Sequence, residues 1–151
     1  MKEGWTVRIV EENKEEFMPW LLLADEQENM IRRYLDRGTM FVLQVPEPVS
    51  CCVVTQEGEG LYEIQNLATL EPYQRKGYGR ALVEYVCGFY RGEGRTMLVG
   101  TGESPLTVPF YRQCGFEFSH RLENYFPQHY DRPIMENGVE LKDKVYFKKG
   151  L

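Results

Sequence analysis

The chain has 151 residues, 42% of them hydrophobic, 13% aromatic and 27% charged, close to the ~150 residues usual for one domain. Its 18 Lys and Arg against 23 Asp and Glu leave a net charge of −5, the wrong sign for a general phosphate-backbone binder, so no nucleic-acid partner is expected. A core at this length buries roughly 68–70% of the unfolded surface without help from metal or disulfide, and no apolar run approaches the ~20 residues of a membrane span. Residues 1–10 hold a lone Lys2 and no apolar stretch of signal-peptide length. The expectation is one cytoplasmic domain over residues 1–151, with no membrane partner.

In chain order, the β-branched run Thr6 to Val10 predicts a first strand. Asn13 followed by Glu16 predicts a capped helix start, with Phe17, Trp20 and Leu21 at helical spacing and Pro19 kinking or ending it. Asp25 with Glu28 repeats the capping pattern. Ile31, Tyr34 and Leu35 then form an apolar stripe that stops at Gly38. Met40 to Val45 and Val49 to Thr55 are β-rich, and Pro46-Glu47-Pro48 between them is only long enough for a hairpin. After Gly58-Glu59-Gly60, Leu61 to Leu70 completes a three-strand antiparallel meander.

The pattern then changes. Glu71 to Arg80 is a polar loop bearing Gly77 and Gly79, followed by a helical stripe of Leu82, Tyr85, Val86 and Phe89 and by a buried strand from Thr96 to Val99. Together these form a βαβ unit with one parallel pair. Ser104 or Thr107 caps the next helix, which carries Phe110, Tyr111 and Cys114 and closes at Gly115. Phe116 to Ser119 and Lys144 to Lys148 are the last strands, and Tyr125 to Gly138 between them reads as a long loop. Cys51, Cys52, Cys87 and Cys114 offer no C-x-x-C pair, and only His120 and His129 could assist a metal. They read as reduced core thiols, with no metal expected.

Two phosphate-binding fingerprints fail on the glycine loop. A Walker A loop needs Lys and then Ser or Thr after its last glycine, where this chain has Arg80 and Ala81. A dinucleotide G-x-G-x-x-G needs a small residue where Leu82 stands, and here the loop follows an antiparallel meander. The local physics still suits a pyrophosphate. A helix starting near Gly77 offers unpaired N–H groups and a positive dipole end, glycines keep side chains out of the way, and Gln74, Arg75, Lys76 and Arg80 supply donors. The bland alternative is a glycine helix start with a solvated charge cluster.

The run Gln74-Arg75-Lys76-Gly77-Tyr78-Gly79-Arg80-Ala81 resembles the Q/R-x-x-G-x-G/A signature of the GNAT superfamily of acetyl-CoA-dependent N-acetyltransferases. Phe110-Tyr111-Arg112-Gln113-Cys114-Gly115-Phe116 is similar to that superfamily's later helix-end motif, and Glu63-Ile64-Gln65-Asn66-Leu67-Ala68 to the strand before its loop. The element order agrees over nearly the whole chain. The resemblance implies an α/β (α+β) fold with a mixed, mostly antiparallel sheet of about six or seven strands flanked by helices. It implies acetyl-CoA as cosubstrate, with the backbone of Leu67, Ala68 and Thr69 pairing with the pantetheine arm and Gln74, Arg75, Lys76, Gly77, Tyr78, Gly79 and Arg80 holding the pyrophosphate. Glu103 departs from the asparagine often found in relatives and brings charge toward the cofactor arm.

Acetyl transfer to a primary amine needs a neutral amine, a donor for the developing oxyanion and a proton for the thiolate. The resemblance implies Tyr111 as proton donor to the sulfur, the alternative being a core aromatic. Glu63, as a partly buried carboxylate, is the candidate base, the alternative being a solvated strand residue, and the Ala68 N–H is a candidate for polarising the carbonyl. His120, His129, Tyr125 and Tyr130 are either surface groups or part of the acceptor site. Residues 17–38 and 120–140 are expected to shape that site. Glu26, Glu28 and Asp36 there hint at a cationic acceptor, against a plain solvated face. The acceptor is a small molecule or a peptide. A coenzyme A-binding sensor or interaction module without turnover is the alternative function, and an enzyme using a longer acyl group is a third. Oligomeric state stays open, a homodimer included.

Overall fold

Seven strands hydrogen-bond in the order β1-β2-β3-β4-β5-β9-β6 in the computed structural model, which describes residues 4–151; Lys2, part of the leader reading, lies outside them. The strands are β1 (Thr6–Val10), β2 (Thr39–Gln44), β3 (Pro48–Gly58), β4 (Leu61–Thr69), β5 (Thr96–Gly102), β6 (Glu117–Leu122) and β9 (Lys144–Gly150). A two-stranded β7–β8 hairpin, Met135–Glu136 with Val139–Glu140, stands apart. All neighbours in the main sheet are antiparallel except β4 and β5, as the βαβ reading requires. The sheet is the mixed, mostly antiparallel one expected.

Strand alternation gives the sheet two apolar faces, each covered by helices. On one face α3 (Tyr78–Tyr90) sets Ala81, Leu82, Val83, Val86 and Cys87 against Phe41, Val54, Ile64, Met97 and Phe147. On the other, α1 (Met18–Ala24) and α2 (Glu28–Leu35) set Leu21, Ile31, Tyr34 and Leu35 against Met40, Val42, Cys51 and Val53. The α3 stripe is rotated from the expected one. Leu82 and Val86 are buried, but Tyr85 and Phe89 stay exposed, their rings edge-on to Phe41 at the sheet margin.

Local signals misplace several boundaries. Asn13 makes no side-chain cap; it takes a left-handed φ of 57° and starts a 3-10 turn, Lys14–Phe17, after which α1 begins with Pro19 in its first turn. Pro19 therefore starts a helix, because its missing N–H is harmless there. Asp25 does not cap α2 either, since tertiary partners claim its carboxylate. Of the two candidate caps for α4 (Thr107–Gln113), Ser104 does the work: its Oγ accepts from the N–H groups of Leu106 and Thr107 at 3.3 and 3.2 Å. The expected long loop from Tyr125 to Gly138 is structured, with α5 (Tyr125–His129) and the β7–β8 hairpin turning at Asn137-Gly138. Both turn residues have positive φ, as a tight two-residue hairpin turn demands.

All four cysteines are free and buried. Cys51 and Cys52 are sequence neighbours on opposite faces of β3, one in each core, so they cannot bond to each other. Burial pushes the Cys51 thiol up to about 12 and that of Cys114 to about 11. Thiolate, the reactive form, is therefore scarce at neutral pH. A thiol reagent at pH 8 is expected to modify the native protein slowly and to count four thiols after unfolding without reductant; a count of two would show a disulfide and refute the core reading.

Candidate functional site

The parallel β4–β5 ladder is short. Leu61 to Ile64 pair with Thr96 to Val99, and there the pairing stops. Beyond that point β4 is re-aimed by a bulge at Gln65, seen as a register shift opposite Val53 and Val54. Meanwhile β5 continues through Gly100 and Gly102 with β9 as its partner. A bulge bends and twists the strand that carries it. The two strands part, leaving the β5-facing edge of Gln65 to Thr69 without a strand partner among the described residues. A cleft of ≈ 790 Å³ opens in the gap, lined by residues of β4, β5, α4 and the loop before α3.

One end of the cleft is built for an anion. Gln74, Arg75, Gly77, Gly79 and Arg80 line it, together with Thr69 and Tyr73. Arg75 and Gly77 take left-handed φ of 61° and 89°, and Gly77 caps α3. The chain thus turns so that the first N–H groups of a 13-residue helix face the opening. At Gly79 an added Cβ would lie 3.5 Å from the Phe110 ring and from Thr69 Oγ1, so any larger side chain would intrude on this end. Gln74 Nε2 donates to the Thr69 carbonyl at 2.9 Å, which ties the loop to the end of β4. Arg80 shares its charge with Glu84 one turn on, at 3.1 Å.

Not every loop residue faces the cleft. Tyr78 is buried in the α3 core, leaving only its backbone for the loop, and Lys76 is exposed with Nζ 5.9 Å above the Tyr73 ring. Leu67, Ala68 and Thr69 belong to the lining, and so does Tyr111 from α4. Tyr111 is 7% exposed, and burial pushes its phenol up, so it holds its proton at any ordinary pH. Glu103 is not in the lining. Its carboxylate is drawn outward by Arg121 at 3.0 and 3.2 Å, so the charge expected near a cofactor arm is already paired.

The other end joins segments far apart in sequence. Asp25, just after α1, accepts from Tyr34 at 3.2 Å and from Tyr130, 105 residues away, at 2.7 Å. Tyr34 in turn accepts from Asn66 Nδ2 at 3.0 Å. Asn66, in the β4 bulge region, also donates to the Leu21 carbonyl at 3.0 Å, and its Oδ1 is buried without a partner. Tyr125, Phe126 and Tyr130 close this chamber, with Glu26 and Lys144 at its wall. Burial raises the Asp25 carboxyl above its usual range despite both tyrosine hydrogen bonds. Glu63, expected as a base, is 7% exposed and also raised, first by burial. It stands opposite Ile64 on the α1–α2 face, is not in the lining, and feels the charges of Lys144, Glu57 and Arg37.

The remaining candidates lie outside. His120 stacks on Tyr146 and His129 on Tyr125, and neither lines the cleft. Glu28 is paired with Arg32, and Asp36 lies outside the lining. Sequence reading missed Asp25, Asn66 and Lys144. Asp25 carried a capping signature, and nothing local marks a residue whose partner Tyr130 lies 105 positions away.

Asp25 makes stability depend on pH in a definite direction. With its folded carboxyl raised above the unfolded 3.8, the folded state binds more protons than the unfolded one just above that value. Stability then falls as pH rises through the folded value, and no penalty exists below 3.8. Asp25→Asn removes this titration. In denaturant unfolding across pH, the stability of Asp25→Asn relative to wild type is expected to climb from pH 3.8 upward and then level off; a difference flat in pH would refute the raised carboxyl.

Residues 36–118 match the family model for an acetyltransferase (GNAT) domain. An uncharacterized N-acetyltransferase of Bacillus subtilis (strain 168), YvbK, is 31% identical over 142 residues, 92% of each chain. The crystal structure of a GNAT family acetyltransferase from Elizabethkingia anophelis with acetyl-CoA bound matches at a TM-score of 0.94 and 27% identity, over 99% of this chain and 100% of that one. A Bacillus subtilis acetyltransferase in complex with CoA matches at 0.87 and 30%, over 97% and 99%. The glycine loop, the parted strands and these relatives agree, and the chain belongs to the GNAT family of acetyltransferases.

Proposed function

We propose that a single domain spanning the chain moves an acetyl group from acetyl-CoA to a primary amine of a small molecule or peptide. The observation that carries this reading is one continuous cleft with an anion cradle at one end, an open strand edge in the middle and an acidic, aromatic chamber at the other. The residues present fit the cosubstrate. Gly77 and Gly79 line the cradle without side chains, which leaves helix-start N–H groups for a pyrophosphate, and the unpaired edge of β4 offers backbone groups to the pantetheine amides, as strand addition requires. The two relatives that carry acetyl-CoA and CoA support it.

Each job in the reaction then has a residue. Gln74, Arg75, Gly77, Gly79 and Arg80 hold the pyrophosphate, with Lys76 adding charge from outside and Tyr78 anchoring the helix. Leu67, Ala68 and Thr69 align the arm, and the Ala68 N–H polarises the thioester carbonyl. Tyr111, protonated and in the same lining, offers its hydroxyl hydrogen to the departing sulfur. Glu63, its carboxyl raised by burial, takes the amine proton through water. The chamber around Asp25 and Glu26 receives the acceptor, and its carboxylates favour a cationic one.

Titration calorimetry with acetyl-CoA, followed by thiol release over a panel of polyamines, aminoglycosides, amino acids and peptides, tests the whole reading. Binding with amine-dependent release is expected; slow release that no amine accelerates would favour a coenzyme-binding sensor. Tyr111→Phe is expected to lower kcat by about 10²-fold, the low end for general-acid help because a thiolate already leaves readily, with KM nearly unchanged. Full kcat would return Tyr111 to the core. Glu63→Gln is expected to lower kcat/KM most at low pH, where free amine is scarce, and to leave coenzyme affinity intact. An unaltered pH–rate profile would remove Glu63 from the mechanism.

A further inference from the structure

We propose that Lys144 is itself an acetyl acceptor of this protein, so that the enzyme acetylates its own chamber wall when no amine occupies it. The inference rests on the acetyl-CoA reading of the cleft. Lys144 opens β9, paired with Gly102 of β5 on one side and Leu122 of β6 on the other, at the mouth of the gap between β4 and β5. Its side chain runs inward across Gly100. A Cβ there would meet Lys144 Cε at 2.5 Å, so only glycine lets the arm pass. The cleft lining contains Lys144 together with Ala68 and Tyr111, the residues assigned to the thioester carbonyl and the leaving sulfur.

The seat around the ammonium is that of an amine substrate. Nζ lies 4.7 Å from the Tyr125 ring centroid and 5.1 Å from that of Tyr146, two aromatic faces that attract a cation. The charges facing it are Glu63 of β4, Asp25 after α1, Glu57 of β3 and, opposing them, Arg33 of α2. Burial outweighs the carboxylates and lowers the Lys144 ammonium below its usual range, which raises the share of neutral amine able to attack. The other lysines near it differ: Lys142 and Lys148 are exposed, and Lys149 donates to the Cys114 carbonyl at 2.8 Å.

The step balances without further reagents. Glu63, directly or through water, takes a proton from the ammonium. The Nζ lone pair then forms a bond to the thioester carbonyl carbon, and the carbon–sulfur bond breaks. The sulfur leaves as coenzyme A, taking its proton through the Tyr111 hydroxyl, which the second proton shed by Nζ restores, and the product is an uncharged acetyl-lysine. Modification removes a cation from the chamber wall and fills its space.

The test is incubation of the whole protein with acetyl-CoA and no amine, followed by peptide mapping by mass spectrometry. Lys144 is expected to be labelled at least about tenfold faster than Lys142 and Lys148, as an amine held at the reacting carbon should be, with a rate constant independent of protein concentration. Gly79→Glu, which puts bulk and negative charge into the anion cradle, should bring Lys144 down to the level of its neighbours. Acetyl phosphate, which bypasses the coenzyme site, should label the exposed lysines in preference to Lys144. Equal labelling of all three lysines by acetyl-CoA, or a rate that grows with protein concentration, would overturn the proposal. So would an unmodified Lys144 in protein that binds acetyl-CoA and turns over amines, which leaves the proposed function standing. Absence of acetyl-CoA binding would remove both.

Discussion

The cleft of this molecule depends on β4 and β5 ceasing to pair after Ile64 and Val99. A parallel ladder that ran on would satisfy both strands and bury the edge of β4. Two features prevent it. The bulge at Gln65 turns β4 toward β3, and the extra residue is held there by Gln65 Nε2 donating to Thr55 Oγ1 at 3.0 Å. On the other side β5 has β9 as a full antiparallel partner from Thr96 to Gly102, so it gains nothing by following β4. Unpaired backbone groups facing a cleft are costly unless water or a ligand takes them.

The two ends of the cleft are held by different physics. The anion end is local. Gly77 and Gly79, the start of α3 and four or five neighbouring side chains lie within a few residues of each other, and a chain with net charge −5 concentrates positive charge there. The opposite end is assembled from α1 and the turn after it, the middle of β4, α5, the β7–β8 hairpin and the start of β9. Its organising contact is the pair of tyrosine hydroxyls on Asp25, which pins the segment after β6 onto the helices of the opposite half. That segment is fixed at its base as well: Arg121 bridges Glu103 and Asp143, and Asp143 accepts from the Asn124 N–H at 2.9 Å.

Burial sets the protonation behaviour of the chamber. Asp25 and Glu63 are raised and Lys144 is lowered, in each case first by loss of solvent, with mutual attraction pulling the other way. Each group is thereby moved closer to neutrality, the condition under which proton transfer among them is cheap. The buried, unpartnered Oδ1 of Asn66 belongs to the same region. It is the kind of unsatisfied group, worth about 1–3 kcal/mol, that packed cores otherwise avoid.

Where residues close in sequence carry the information, the sequence was sufficient. The hairpins, the βαβ unit, the amphipathic stripe of α2, the glycine cradle and the Tyr111 helix are written in periodicities and short motifs, because their partners lie within a turn or one strand. Asn137-Gly138 was legible in the same way and marks the β7–β8 hairpin inside what reads as a loop. Long-range packing overrode the local signals at Asn13, Pro19 and Asp25, where a capping pattern is worth about 1 kcal/mol and yields to tertiary partners. The chamber around Asp25 was legible only as two stretches, residues 17–38 and 120–140, with Glu26, Tyr125 and Tyr130 among them, and not as the contacts that join them. Asp25, Asn66, Tyr130 and Lys144 share no spacing, and only the closing of the sheet, with β9 inserted between β5 and β6, brings them together. The sequence alone determined the glycine-loop end of the cleft, because a helix start and its loop are one local unit. The tertiary structure decided the Asp25 end, because a chamber made of five distant segments exists only once the sheet is complete.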